Sequence, residues 1–428
     1  MMTGYDQYPP ETAMSALDSR SRPAAPLAFD LSGRLGAIDQ KKLRAYRLER
    51  LRSELKKRDY GACVLSDPIN IRYATGSRNM MLWTMHSPSR WAFVPAEGPV
   101  VLFEYDSSKH VNEGLETIAE IRLCTPWIYF LAGPRCEEKA GLWAREIADL
   151  VAARCGKNRR LAVDRCEPMG AFKLAQHGLE LLDAQEAIEQ ARLIKSPEEI
   201  AALRLSMDVC DAAIACMRDA LRPGITENQL WAILHEVNIA HDGEWIESRL
   251  LTSGERTNPW FQECGNRVIR AGDLVAFDTD MVGPLGYLAD ISRSWVCPGK
   301  PPSNEQQRLY AIAQEQVLFN MNLIKPGVGF REFAEKCWPV PEEFIPNRYM
   351  MMVHGVGLVD EYPSVAYARD FADWGYDGAF QENMVVSVES YIGEVGGKQG
   401  VKLEQQVLIS AKGAVPLSRT PFEDALRI

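Results

Sequence analysis

Three apolar stretches of this chain end on acids that a buried strand should exclude: Leu274-Val-Ala-Phe-Asp278, Val385-Val-Ser-Val-Glu389 and Val401-Lys-Leu-Glu404. Runs rich in β-branched and aromatic residues at this length read as buried strands. An ionised carboxylate inside one is costly unless a cation or several donors meet it. Asp280 lies two residues beyond Asp278, so strand alternation turns both carboxylates to one face, where like charges repel unless a cation sits between them. The turn Gly283-Pro-Leu-Gly286 would return the next strand alongside and bring Asp290 with it. His354 opens the stretch His354-Gly-Val-Gly-Leu. Taken singly, each has a plainer reading: a strand-end aspartate as turn former, a histidine before glycines as structural, a glutamate as solvated edge.

A chain of 428 residues exceeds one ordinary core, so two domains are expected. The formal charge of −10 argues against nucleic acid, whose phosphates need clustered basic residues. Ten scattered cysteines without a C-x-x-C pattern exclude a zinc ribbon or dithiol redox site and suggest a reducing compartment. No apolar run approaches the roughly 20 residues that span a bilayer. A cytoplasmic protein with no membrane partner is the expectation. Residues 1–33, rich in Pro, Ser and Asp at their start, read as an extended leader without a signal-peptide core.

Residues 34–190 alternate helices and strands. Gln40 to Lys57 carries leucines at helical spacing, Gly61 to Ser66 is a short buried strand, and Asp67-Pro68-Ile69-Asn70 reads as a turn. Further strands are expected at Trp91–Pro95, Pro99–Phe103 and Arg160–Asp164, and a helix at 138–153. This is an α/β domain. Ser196-Pro197-Glu198-Glu199 is a helix start, with an N-cap serine, proline in the first turn and acids beside it. Residues 191–428 then give helices near 197–220, 226–241 and 304–323 among antiparallel strands, an α+β domain.

Together these residues resemble a known family. Gly272-Asp-Leu-Val275, Asp278, Asp290-Ile-Ser-Arg293, His354-Gly-x-Gly, Val388-Glu389 and Val401-Lys-Leu-Glu404 are similar to the pita-bread fold of creatinase, prolidase and aminopeptidase P. Asp67 to Gly76 resembles that family's smaller domain, and Ser196-Pro-Glu-Glu199 its linker. The resemblance implies an α+β pita-bread catalytic domain preceded by a smaller α/β creatinase-type N-terminal domain. It places Asp278, Asp290, His354, Glu389 and Glu404 as ligands of two divalent ions, and implies a homodimer in which one subunit's small domain overhangs the other's site.

The departures point away from peptide hydrolysis. Phe261 stands where the hydrolases carry a substrate-holding histidine, Asp360 where they carry a second one, Asp280 where they carry glycine, and Lys402 where they carry arginine. Amide hydrolysis needs a proton donor for the leaving amine, and both histidines are gone. This pattern resembles the metal-dependent dimethylsulfoniopropionate lyases of the same superfamily, which release dimethyl sulfide and acrylate. The resemblance adds Asp280 as a sixth metal ligand, Asp360 as base and Tyr349 as a substrate contact. A β-elimination that expels a neutral thioether needs a base and charge stabilisation but no acid. Burial among Phe261, Tyr349 and Tyr362 would raise Asp360 toward useful basicity. Trp83, Trp260, Phe261 and Tyr362 are candidate partners for the sulfonium of a small zwitterionic substrate. Mostly oxygen ligands with one imidazole suit iron, manganese, cobalt or zinc, with iron favoured by the resemblance. The competing readings are an Xaa-Pro peptidase or creatinase-like hydrolase, and a non-catalytic interaction module. The histidines at 86, 110, 177, 235 and 241 have no partner pattern and read as structural or surface.

Overall fold

The computed structural model describes residues 29–426. Most of the expected leader lies outside them. Its last three residues are helical, not extended, because the Asp30 side chain accepts from the Gly33 amide and starts a short helix, Leu31–Ala37.

The first half is built on a six-stranded mixed sheet in the order β4-β3-β2-β1-β5-β6. Its strands are β1 (Ala62–Leu65), β2 (Trp91–Pro95), β3 (Val101–Glu104), β4 (Glu120–Leu123), β5 (Arg160–Val163) and β6 (Glu180–Asp183). Alternation in β1 divides the packing. Cys63 and Leu65 meet Leu48, Leu51 and Leu55 of helix Gln40–Lys57, while Ala62 and Val64 join Trp91, Phe93 and Trp143 on the opposite side. The turn expected at Asp67-Pro68-Ile69-Asn70 is instead the start of helix Pro68–Thr75. The Asp67 carboxylate accepts from the Ile69 and Asn70 amides, and proline fills the first turn. Asp-Pro initiates either structure, and Ile69, Ile71, Tyr73 and Ala74, buried in one cluster with Cys63 and Leu65 of β1, decide for the helix.

Ser196 opens helix Pro197–Ala220 with a reciprocal capping box to Glu199, and helix Glu227–Ala240 follows. The second half holds three antiparallel sheets. One orders as β11-β10-β7 and comprises Leu288–Ala289, Met281–Val282 and Trp245–Ile246. The next orders as β12-β9-β8, comprising Ser292–Val296, Leu274–Asp278 and Leu251–Ser253. The largest orders as β14-β13-β15-β16-β17. Its strands are β13 (Val353–Val356), β14 (Asp360–Val365), β15 (Val385–Ile392), β16 (Val401–Ser410) and β17 (Gly413–Pro416). Helix Asn304–Leu323 packs Leu309, Tyr310, Ala313 and Val317 on Leu274, Val296, Ile392 and Leu403, covering these sheets on one side. Glu389 and Glu404 therefore do not end their strands. β15 runs eight residues and β16 ten, and the two glutamates sit within them.

The β13–β14 pairing is interrupted between His354 and Gly355. His354 pairs with Ser364, whereas Gly355 pairs with Glu361, so Tyr362 and Pro363 bulge from the register. A β-carbon at Gly355 would lie 2.4 Å from the Tyr362 carbonyl oxygen, and one at Gly357 would lie 2.3 Å from the Glu361 carboxylate. The glycines of His354-Gly-Val-Gly are thus required by close approach. Glu361 itself is buried. It accepts from the Leu358 amide at 3.0 Å and from Lys195 Nζ at 2.9 Å, while Glu189 takes the Tyr362 amide at 2.8 Å. The segment that joins the two halves thereby anchors the start of β14. Replacing one partner of such a buried pair strands the other charge, at a cost of about 3–5 kcal/mol. Lys195→Met is accordingly expected to lower the thermal unfolding midpoint markedly; an unchanged midpoint would show that the pair contributes nothing to the fold.

Candidate metal centre and adjoining cleft

Strand pairing assembles the acids. Across β15–β16, Glu389 sits directly opposite Glu404, and Tyr391 opposite Lys402, so all four share one sheet face. Across β9–β12, Asp278 sits opposite Ser292. Asp290 precedes β12 and is positioned by its amide, which donates to Gln406 Oε1 at 2.9 Å. His354 comes from β13, its Nε2 lying 3.3 Å from both Asp290 Oδ2 and Glu389 Oε1.

Donor atoms of His354, Glu389 and Glu404 gather within 4.8 Å of one another, as do those of Asp278, Asp290 and Glu404, and those of Asp290, His354 and Asp360. The first two groups share Glu404. Asp278, Asp290, His354, Glu389 and Glu404 are all buried. Two of their oxygens, Asp278 Oδ1 and Glu404 Oε1, are buried without a hydrogen-bond partner. Orphaned carboxylate oxygens beside an imidazole are what a divalent cation would satisfy, so the donor set fits a metal. The electrostatics agree. Burial pushes the carboxyls of Asp278 and Asp290 well above the usual range and that of Glu389 up to about 7, with neighbouring acids adding to the effect. Glu404 runs the other way. Burial opposes its ionisation, but Lys402 and His354 outweigh burial and hold it well below the ordinary range.

Asp280 stands apart from the three groups. The chain leaves β9 at Asp278, and Asp280 adopts a positive φ of 37°, so strand alternation does not govern its direction. Burial raises its carboxyl to about 6, and it faces a cleft of about 640 Å³ together with Asp360. Asp360 Oδ1 lies 3.4 Å from His354 Nδ1, and 62% of its side chain remains exposed, against 8% or less for Asp278, Asp290, His354, Glu389, Glu404 and Lys402. Crowding by the cleft walls still raises its carboxyl, with His354 opposing.

The aromatic surroundings expected for Asp360 are elsewhere. Phe261 stacks on Tyr349, their ring centres 5.4 Å apart, and Tyr362 stacks on Tyr376 at the same separation. Trp260 packs on Tyr391, and Trp83 on Tyr105. The cleft is instead lined by Asp67, Met85, His86, Arg165 and Glu247. The first four come from the N-terminal half. His86, read from sequence as surface or structural, thus faces the cleft, and no local pattern around it could have signalled this. Tyr349 lies beside Lys402, whose ammonium is 4.5 Å from its ring centre. Burial and the charge of Glu389 hold the Tyr349 hydroxyl well above its usual range, so it stays protonated. Lys402 was legible only as a departure from arginine; a lysine inside an apolar strand, two residues from a buried acid, was the available signal.

Residues 47–194 match the creatinase/prolidase N-terminal domain and residues 201–411 the metallopeptidase family M24. The solved Xaa-Pro dipeptidase of Bacillus anthracis superposes with a TM-score of 0.71, over 89% of this chain and 99% of that one, at 20% identity. Fold and site thus define a pita-bread protein of the metallopeptidase type with a divalent-metal centre. Within that class, dimethylsulfoniopropionate lyase DddP of Roseovarius nubinhibens is 41% identical over 92% of this chain and 89% of its own, and that of Roseobacter denitrificans 39% over 92% and 90%. This chain belongs to the DddP family. A putative dipeptidase of Bacillus subtilis, YkvY, is 26% identical over 88% of the chain.

Because Glu404 is shared between two donor groups and Asp280 belongs to none, their amides should differ. Glu404→Gln is expected to lose most of the bound divalent metal on elemental analysis, and Asp280→Asn clearly less. Equal losses would place Asp280 inside the centre.

Proposed function

We propose that this chain is a lyase that cleaves dimethylsulfoniopropionate to dimethyl sulfide and acrylate by β-elimination, with Asp360 as the base. The observation that carries the reading is the contrast at the site. Five candidate ligands are buried, while Asp360, in contact with His354, opens to the cleft beside Asp280. Within the three donor groups of the described residues His354 is the one histidine, so no second imidazole stands among the candidate ligands to serve as the acid that amide hydrolysis needs. An elimination does not need it.

Asp278, Asp290, His354, Glu389 and Glu404 would hold two divalent ions, with Asp280 adding a ligand from the cleft side and iron the ion we favour. Such ions, when bound, would supply positive charge to the substrate carboxylate and to the enolate-like density that builds on it. Asp360 removes a proton from the carbon next to that carboxylate. The electron pair left behind forms the carbon–carbon double bond, and the carbon–sulfur bond breaks with its pair remaining on sulfur. Dimethyl sulfide departs neutral, acrylate keeps its charge, and Asp360 returns its proton to water. Tyr349, held protonated, offers a hydroxyl to the substrate. With the expected aromatics away from the cleft lining, its remaining acids, Asp67 and Glu247, are the partners this geometry offers the sulfonium.

Metal-replete protein given dimethylsulfoniopropionate should release dimethyl sulfide into the headspace, and absence of release would remove the lyase reading. Asp360→Asn should lose about 10²–10⁴-fold in turnover, the usual worth of a positioned base, with metal content retained; full activity would discard Asp360 as base. An Xaa-Pro dipeptide should not be cleaved at comparable rates.

A homodimer and a cytoplasmic setting complete the proposal. Met80, at the start of helix Met81–His86, and Leu82, within it, are about half exposed, which suits coverage by a second subunit. All ten cysteines are free thiols, as a reducing compartment would keep them. Among the described residues no helix is long and apolar enough to cross a membrane. Light scattering on the purified protein should give twice the chain mass of 48.0 kDa; a monomer would exclude the dimer.

A further inference from the structure

We infer that Lys402 is a resident cation of the metal centre: it holds one oxygen of each of three ligand carboxylates and keeps the cluster assembled, and the protein folded, without metal. The inference rests on the metal reading above but not on the choice of substrate. Lys402 is fully buried on β16. Its Nζ lies 2.6 Å from Glu389 Oε2, 3.1 Å from Asp278 Oδ2 and 3.3 Å from Glu404 Oε2, and donates to Ser292 Oγ at 2.7 Å. Ser292 Oγ in turn donates to Glu404 Oε2 at 2.8 Å.

The division of oxygens is the telling point. Every carboxylate atom that Lys402 touches is one member of a pair, and the other member points away from it. Asp278 Oδ1 and Glu404 Oε1 have no hydrogen-bond partner, and Glu389 Oε1 faces His354 Nε2 at 3.3 Å. The ammonium therefore does not compete for the oxygens left over for metal. It turns each carboxylate so that one oxygen is neutralised and the other presented, the task that outer groups perform for metal ligands generally. Charge balance gives the same result. Without the ammonium, three buried carboxylates within 3.3 Å of its position would face one another uncompensated whenever metal is absent.

The test compares thermal unfolding of wild type and Lys402→Met, each stripped by chelator dialysis and each reloaded with cobalt(II). The metal-free variant should unfold at least about 5 °C below metal-free wild type, as expected for uncompensated buried charge in a chain of this size. Cobalt(II), taking over the missing charge, should recover most of that deficit. The visible cobalt(II) spectrum of the variant should also shift to the weaker absorption of higher coordination, as the three released oxygens become available. Lys402→Arg, which keeps the charge, should recover most of the metal-free loss. An equal deficit with and without cobalt, or a variant that fails to fold even with cobalt present, would mark an ordinary packing defect and overturn the proposal. So would metal-free stability equal to wild type, or an arginine variant no better than the methionine one. Failure of wild type to bind cobalt(II) would instead sink the metal reading itself, and no arm depends on lyase activity.

Discussion

Two glutamates facing each other in register across adjacent buried strands, Glu389 on β15 and Glu404 on β16, are the constraint around which the catalytic half is arranged. Side chains directly opposite on one face of an antiparallel pair lie about 5 Å apart, a spacing that penalises like charges. The sheet accepts them because β9 delivers Asp278, the chain before β12 delivers Asp290, β13 delivers His354, and Lys402 rises between them from the same face. Remove any source of positive charge from that arrangement and the strands bearing it have reason to part.

Much of this was legible in the sequence, for identifiable reasons. Helix Pro197–Ala220 carried its own start signal, and the structure keeps both halves of the capping box. The strand Trp91–Pro95 fell where the apolar pattern placed it. Asp278, Glu389 and Glu404 stood out as acids in apolar strands that contradict their surroundings, and the family resemblance joined Asp290 and His354 to them as candidate ligands. What stayed hidden was long-range. Nothing near Asp67 tells a turn from a helix start; its packing on β1 does. Nothing near Tyr362 reveals that its ring turns to Tyr376 and away from Asp360. The cleft residues Met85, His86 and Arg165 are separated from Asp360 by some two hundred residues or more, and only the docking of the two halves joins them.

Kinship with the dipeptidases is a matter of frame, and the difference lies in what the frame presents. The candidate metal ligands are buried and crowded, whereas Asp360, the proposed base, is the exposed first residue of β14. A family can exchange one reaction for another at such a place without disturbing the core, because surface positions carry little of the folding free energy.

The bulge in β14 has a consequence for how that exchange can occur. His354 lies on one side of it and Asp360 on the other, joined by the tight turn through Gly357 and Val359. Strand pitch therefore does not fix the reach from imidazole to carboxylate; the length of the turn does. A residue added to that turn or taken from it would move the acid relative to the imidazole, which pairing with β15 holds in register. The hairpin works as an adjustable arm, and Glu361, clamped by Lys195, is the stop that sets its present extension.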